Sequence, residues 1–470
     1  MFPQTLLLDR FTIPLPGIYR HGFLAGFIFV IVFWIFWGAL VLQAETNKDP
    51  NQSAISHIEN DQIRVGVDLL RGGSIGYLAD VKIGQNQVNT HDFGRWIGQS
   101  YYSGPKPFGK AHPAWKDWPW NPVSAGDVFG NASKILEHKN DGKTIYVRAQ
   151  PLQWALDATP AECQFETWIT LENRAVHVKN RLTNQRQDKT QYPAMDQELP
   201  AVYTNRNLHI LKTYSGNQPF TNGPLVEIPK SPANGPTPLW STFSATEHWA
   251  ALVDENDWGL GIIHPGSIRF LGGFYHSPVK TNTNDSTGYM SPIRKEILDS
   301  NIVYTYRYTL VLDSLANIRR VALGIKPQSN HPDYRFDSDR QHWWFLNATD
   351  QGYPFRGNLR LDLNLPDPQM IGPEADWSAG EIKKLFVKAA YKSRNNTAEL
   401  HWETDHTPGF QPGNSLRFEI IPDQKFHTYE LDMSKAPGYK GRIRRLRFDP
   451  VESGGPGEYV QIESISAIRR

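Results

Sequence analysis

Apolar and polar positions alternate with a period of two along much of this chain, the spacing of strands with one buried and one wet face. Cys163, Phe165, Thr167, Ile169 and Leu171 fall on one side of such a segment, and Gln164, Glu166, Trp168, Thr170 and Glu172 on the other. Asn173-Arg174 marks a turn, after which Val176 and Val178 alternate with His177, Lys179 and Arg181, so the whole predicts a hairpin. Trp249–Val253 and Trp258–Ile263 flank Asp254-Glu255-Asn256-Asp257 and predict a second hairpin. Ile302–Leu312 is rich in β-branched and aromatic residues and predicts a long strand, and Ser74–Leu78 a shorter one. Amphipathic helical spacing is scarce, and no repeat of fixed period is visible.

The pattern breaks over a polar, turn-rich stretch beginning at Lys326-Pro327. A new series of short strand patterns follows: Leu359–Leu363, Lys384–Tyr391, Ala398–Glu403, Ser415–Ile421, His427–Asp432, Arg442–Phe448 and Tyr459–Ile465. Such a series predicts a jelly-roll sandwich. The expected fold class is therefore all-β, with a large β-sandwich over residues 61–333 and a jelly-roll over residues 334–470.

The N-terminus differs from both blocks. Gly22–Leu42 is an uncharged apolar run whose length matches the roughly 20 residues that span a bilayer core. Arg10 and Arg20 precede it, and Glu45, Lys48 and Asp49 follow. The positive-inside tendency then leaves the N-terminus cytoplasmic and the main body periplasmic or extracellular. Leu42-Gln43-Ala44 departs from the small-x-small pattern of a cleavage site, so residues 1–44 read as a tail and transmembrane helix, with a cleaved signal as the alternative. Residues 45–60 are polar and read as a linker.

Composition narrows the function. Over 470 residues, Lys and Arg number 49 against 48 for Asp and Glu, so the chain lacks the basic excess of a nucleic-acid binder. The single cysteine, Cys163, excludes an internal disulfide framework and a Cys-based zinc cluster. The histidines show no H-x-H or H-E-x-x-H spacing, and no phosphate loop or dinucleotide fingerprint is present, so neither metal nor cofactor is expected.

The C-terminal segments NSLRFEIIPDQKFHTYELDM, KGRIRRLRFDPV and EYVQIESISAI resemble the jelly-roll modules appended to secreted carbohydrate-active enzymes. WAALVDENDWGLGII, over residues 249–263, resembles the large sandwiches of the galactose-mutarotase-like superfamily. Glycoside hydrolases, polysaccharide lyases and sugar epimerases carry such sandwiches, so the resemblance implies a carbohydrate-related protein without choosing among them.

Three stretches carry candidate chemistry. Asn89–Pro105 gathers His91, Asp92, Arg95, Gln99, Tyr101 and Tyr102 with several glycines. His91 and Asp92 offer exchangeable protons, and the Arg95 fork grips a carboxylate or vicinal hydroxyls. The alternative is a turn capped by Asp92, with Arg95 in a structural ion pair. Trp115, Trp118 and Trp120, interleaved with prolines and followed by Asn121 and Asp127, form the mostly apolar wall with a few polar groups that a sugar cleft needs, or else an aromatic mini-core. Gln191–Asn205 contains Asp196, Gln197, Glu198 and Tyr203. Leu199 and Pro200 put Glu198 in an apolar setting that would raise its pKa and suit a general acid; a loop cap is the bland alternative.

Glycoside hydrolysis needs two carboxyl groups, and Glu198 with Asp92 is the preferred pair, with Asp127, Asp196 and Glu166 as substitutes. The expected protein is a membrane-anchored polysaccharide hydrolase with a polysaccharide or oligosaccharide partner. A lyase would instead use Tyr101 or Tyr102 with His91 as base and Arg95 against a uronate. A glycan-binding or assembly protein without catalysis is the third reading.

Overall fold

The alternating segments pair as strands of two face-to-face sheets. In the computed structural model, which describes residues 55–105, 110–229, 240–276, 278, 286–325 and 331–469, the first sheet runs in the order Ile55–Glu59, Ile63–Asp68, Ser74–Asp80, Ile97–Ser100, Met195–Asn205, Thr287–Glu296, Arg269–Tyr275, Ser241–Ser244. The second runs Val226–Glu227, Ile210–Thr213, Trp249–Val253, Trp258–Ile263, Val303–Ser314, Ala175–Asn184, Cys163–Glu172, Thr144–Gln150, Lys134–Asn140. Both expected hairpins lie in this second sheet, with Ala175 opposite Glu172 and Val253 opposite Gly259. Phe165, Ile169, Val176 and Val178 from it meet Val65, Ile75, Ile97, Leu199, Val202 and Met290 from the first in one buried core. The long, β-rich chain thus solves its burial problem by stacking two sheets.

The sequence pattern missed one helix, Leu315–Gly324, which is short enough to escape periodicity. Ser314 caps it, accepting from the Asn317 amide at 3.4 Å. Its Ile318 sits where a Cβ on Gly261 would come within 2.3 Å, so only glycine allows the helix this close to the sheet. Arg319 anchors it through a buried two-point pair with Glu247, at 2.9 and 3.0 Å.

Residues 333–466 supply two further sheets with a second core. All seven strands of the C-terminal series are present, among them Lys384–Lys392, Thr397–Thr404, Arg442–Asp449 and Tyr459–Ser466. Trp377, Trp402, Tyr391 and Phe448 fill the space between these sheets. Residues 54–470 form one compact unit.

Among the described residues, no helix is long and apolar enough to cross a membrane, and the Gly22–Leu42 run lies outside them.

Arg340 joins the sandwiches. Its guanidinium meets Asp299 of the first at 2.7 Å and grips Asp350 of the second at 2.7 and 2.8 Å. Gln191 donates to both carboxylates, at 3.2 and 2.6 Å. Burial disfavours the Arg340 charge, but Asp350 and Asp299 outweigh it and raise the pKa above the usual arginine value. Arg340→Met leaves two carboxylates uncompensated at the seam, and removing one partner of a buried ion pair costs about 3–5 kcal/mol. Chemical denaturation of the variant is expected to show a loss of that order, and an unchanged midpoint would refute the role of the seam.

Candidate functional site

Met195–Asn205 lies centrally in the first sheet, between Ile97–Ser100 and Thr287–Glu296. Its alternation decides what each residue can do. Gln197 and Leu199 point inward and are fully buried, while Asp196 and Glu198 lie on the outer face, in unbroken register with Lys295 and Ile293. The register shifts between Glu198 and Val202, after which Tyr203 again faces outward opposite Tyr289.

Glu198 is half-buried and held by two phenols. Tyr102 donates to its Oε2 at 3.0 Å and Tyr289 to its Oε1 at 2.5 Å. Burial raises the Glu198 pKa; the hydroxyls of Tyr289, Tyr102 and Ser100 pull the other way without cancelling it. Burial and the neighbouring carboxyl also raise the phenols of Tyr102 and Tyr289 well above their ordinary value. A carboxyl so placed holds its proton at a higher pH than a free glutamate.

The supports of Tyr102 are built from the predicted segments. Gln197 clamps its backbone, accepting from the amide and donating to the carbonyl, each at 2.8 Å. Ser100 donates to the phenol oxygen at 3.4 Å, Asn121 donates to Ser100 at 3.2 Å, and Trp118 donates to Asn121 at 2.9 Å.

Aromatic rings pack outward from each phenol. On one side Tyr102 meets Trp118 edge-on at 5.8 Å, Trp118 meets Trp115 at 4.9 Å, and Trp115 meets Trp154 at 5.9 Å. On the other, Tyr289 lies 4.8 Å from both Tyr203 and Trp240. The Asn89–Trp96 loop joins the two arms. Asn89 donates its amide to the Tyr203 carbonyl at 3.0 Å, and Gly94 approaches Trp154 so closely that a Cβ would stand 2.8 Å from the indole. Asp92 in this loop is half exposed and pairs with Arg95 at 3.0 Å. Burial raises the Tyr203 phenol; Glu198 and Asp92 add to the rise and Arg95 opposes it, so all three charged groups act on one ring.

Several expected ligand groups occupy other places. Tyr101 faces the interior, fully buried against Phe165 and Tyr304, and donates to Gln99 at 2.9 Å. It has no path to a substrate, because successive strand residues face opposite sides and Tyr102 takes the outer one. Gln99 is also interior, donating to the Glu166 carbonyl at 3.0 Å. Trp120 is core. Asp127 is buried in a loop, where it accepts from the amides of Phe129, Asn131 and Ala158. Asn121 and Gln197 are buried and position Tyr102. Glu166 belongs to the second sheet, where it pairs with Arg181 at 2.5 Å. His91 is exposed in the Asp92 loop.

Glu198, Tyr102, Trp118 and Tyr203 are thus joined through direct contacts, together with the unanticipated Tyr289 and Trp240, while Asp92 and Arg95 lie in the adjoining loop beside Trp154. Among the described residues, no group of three or more His, Cys, Asp or Glu gathers as metal ligands.

No protein-family model matches the chain, and no curated protein sequence matches it. Among solved structures, it is similar to a galactose mutarotase-like protein from Lactobacillus casei, at 14% identity over 55% of this chain and 99% of that one, with a TM-score of 0.36. It is similar to a 4-alpha-glucanotransferase from Thermococcus litoralis at 12% identity over 57% of this chain and 38% of that one, with a TM-score of 0.33. A xanthan lyase from Paenibacillus matches at 9% identity over 86% of this chain and 50% of that one, with a TM-score of 0.30. TM-scores of this size leave the function to be argued from the Glu198 site itself.

Proposed function

We propose that the chain is a carbohydrate-active enzyme that cleaves a glycan at the outer face of the first sheet. The observation that carries this reading is Glu198: a half-buried carboxyl with a raised pKa, held by two phenols against which Trp118, Tyr203 and Trp240 pack. Indole and phenol faces stack on the C–H faces of sugar rings, and a carboxyl that retains its proton is a general acid. In the proposed step, Glu198 gives its proton to the glycosidic oxygen as the C–O bond breaks, and the leaving sugar departs as an alcohol. Asp92 is the second carboxylate, acting on water or on the anomeric carbon; Arg95 orients it.

Protonation is favoured over the proton abstraction of a lyase. Tyr101 lies in the core, and Tyr102 donates its proton to Glu198 while burial pushes its phenol up, the reverse of a phenolate base. The same proposal places the body outside the cytoplasm, anchored by Gly22–Leu42, which membrane fractionation after salt washing tests directly; release as a shortened soluble form would contradict it.

Purified full chain incubated with a polysaccharide panel is expected to release new reducing ends. Absorbance from an unsaturated uronate would contradict hydrolysis, and retention without products would reduce the chain to a binding protein. Glu198→Gln keeps the shape and removes the titrating proton, so turnover should fall by at least about a hundredfold with little change in KM. Trp118→Ala should instead raise KM.

The raised pKa also has a stability signature. A carboxyl raised by folding stabilises the fold fully below its unfolded value of about 4.3, and this contribution fades as pH rises through the raised value. Gln is neutral throughout. Across the range above about pH 4.3, Glu198→Gln should therefore gain melting temperature relative to the native chain. A constant difference across that range would contradict the shift.

A further inference from the structure

The second sheet also turns a polar face outward, on the far side of the sandwich from Glu198. Its strands bury Phe165, Ile169, Val176, Val178, Tyr306 and Tyr308 in the core shared with the first sheet, so the alternate positions stand on the opposite side. Strand register sets one row of these across five strands: Lys139, Tyr146, Trp168, Lys179 and Arg307, each opposite the next. At about 4.8 Å per strand the row runs roughly 19 Å.

Cations outnumber carboxylates on this face. The neighbouring row carries Glu137, Arg148, Glu166 and Arg181, and its carboxylates are already engaged. Glu137 serves both Lys139 at 2.6 Å and Arg148 at 3.3 Å, and Glu166 holds Arg181 at 2.5 Å. On the other side of the row, Glu172 lies 3.4 Å from His177. Among the described residues, neither Lys179 nor Arg307 forms an ion pair. The two rows thus set five cations against two carboxylates, in a chain whose formal net charge is +1. The surplus falls at both ends of the central row, at Lys139 and at Lys179 with Arg307, and the rings of Tyr146 and Trp168 lie between.

An indole, and no carboxylate, holds Lys179. Its ammonium sits 4.6 Å from the Trp168 ring centroid, and the Arg181 guanidinium 5.1 Å from it. Tyr146 packs on Trp168 with 5.2 Å between centroids. A ring quadrupole orients a cation without neutralising it, so the charge stays available. Arg307 beside it is exposed. An ammonium and a guanidinium side by side receive a carboxylate well. Charge at both ends of a row that crosses five strands fits an extended chain with anionic groups at intervals, and the apolar ring edges between them suit the C–H faces of sugars.

Resting on the carbohydrate function proposed above, we infer that the outer face of the second sheet binds an acidic polysaccharide laid across the strands, with carboxylates of the glycan on Lys179 and Arg307 at one end of the row and on Lys139 at the other. The near-neutral total charge and the extracytoplasmic placement proposed above favour a glycan over a nucleic acid. Because Glu198 lies on the opposite face, this surface holds the polymer and takes no part in cleaving it.

Affinity electrophoresis and calorimetric titration of the full chain with polygalacturonate test this, with soluble starch, duplex DNA and phosphatidylglycerol vesicles alongside. Polygalacturonate is expected to bind, more weakly as salt is raised. Lys179→Gln and Arg307→Gln should each weaken it about threefold, and the double variant about tenfold. Melting temperature and release of reducing ends from a short neutral glycan should not change, since both side chains lie outside the core and the Glu198 site. Full polygalacturonate affinity in the double variant would overturn the proposal. So would an equal loss in Glu198→Gln, which would put the polymer on the first sheet. Equal binding of soluble starch would remove the acidic class. Tighter binding of DNA or of the vesicles would give the face to a nucleic acid or a membrane and overturn the glycan. Release of reducing ends without any binding of polygalacturonate would overturn this face and leave the Glu198 reading standing. Binding that falls in the double variant of a chain that cleaves nothing would support the face and remove the hydrolase.

Discussion

A carboxyl group half-buried on a sheet face must be solvated by the protein, and at Glu198 two phenols do this. Turned inward, the same side chain would meet the apolar core without partners, at a cost of several kcal/mol. Turned outward, it receives Tyr102 and Tyr289, and the rest of the site is arranged to hold those two rings. Gln197 fixes the backbone of Tyr102, Ser100 and Asn121 fix its hydroxyl, and Trp118 fixes Asn121. Trp240 and Tyr203 pack on Tyr289. The parity of one strand thus propagates through hydrogen bonds into the aromatic packing beside one acid.

Much of the fold was legible because alternation reports burial wherever one face is apolar. Cys163–Glu172 and Ala175–Asn184 pair as their pattern predicts, and so do the C-terminal strands. The helix Leu315–Gly324 was hidden because a short apolar stripe does not stand out from neighbouring strands. That Glu198 is partly buried agrees with the expectation, but its surroundings are Tyr102 and Tyr289, while Leu199 points into the core. The roles of Tyr101 and Tyr102 were not legible. Residues 98–102 read Gly-Gln-Ser-Tyr-Tyr, with no apolar alternation to say which side is inward. Their parity is set by the pairing of Ser100 with Glu198, far away in sequence. Tyr289, Trp154 and Trp240 reach the site through equally distant pairings, and a single sequence holds no local mark of them. Asp127 looked like a ligand group and serves as a loop tether, since a buried aspartate satisfied by backbone amides has no capacity left for a substrate.

The seam between the sandwiches belongs to the same physical argument. Arg340 joins the two sandwiches by bridging a carboxylate of each, with Gln191 donating to both. Arg445 joins it a second time, pairing with Glu374, which Arg269 of the first sheet also approaches.

The decisive quantity is the protonation of Glu198 itself. Carbon-13 NMR titration of the glutamate carboxyls, with the Glu198 resonance assigned by its loss in Glu198→Gln, measures it directly. The geometry predicts a midpoint clearly above the ordinary glutamate value of about 4.3. A midpoint at or below that value would mean that the phenols stabilise the carboxylate more than burial opposes it, and Glu198 would then be no general acid.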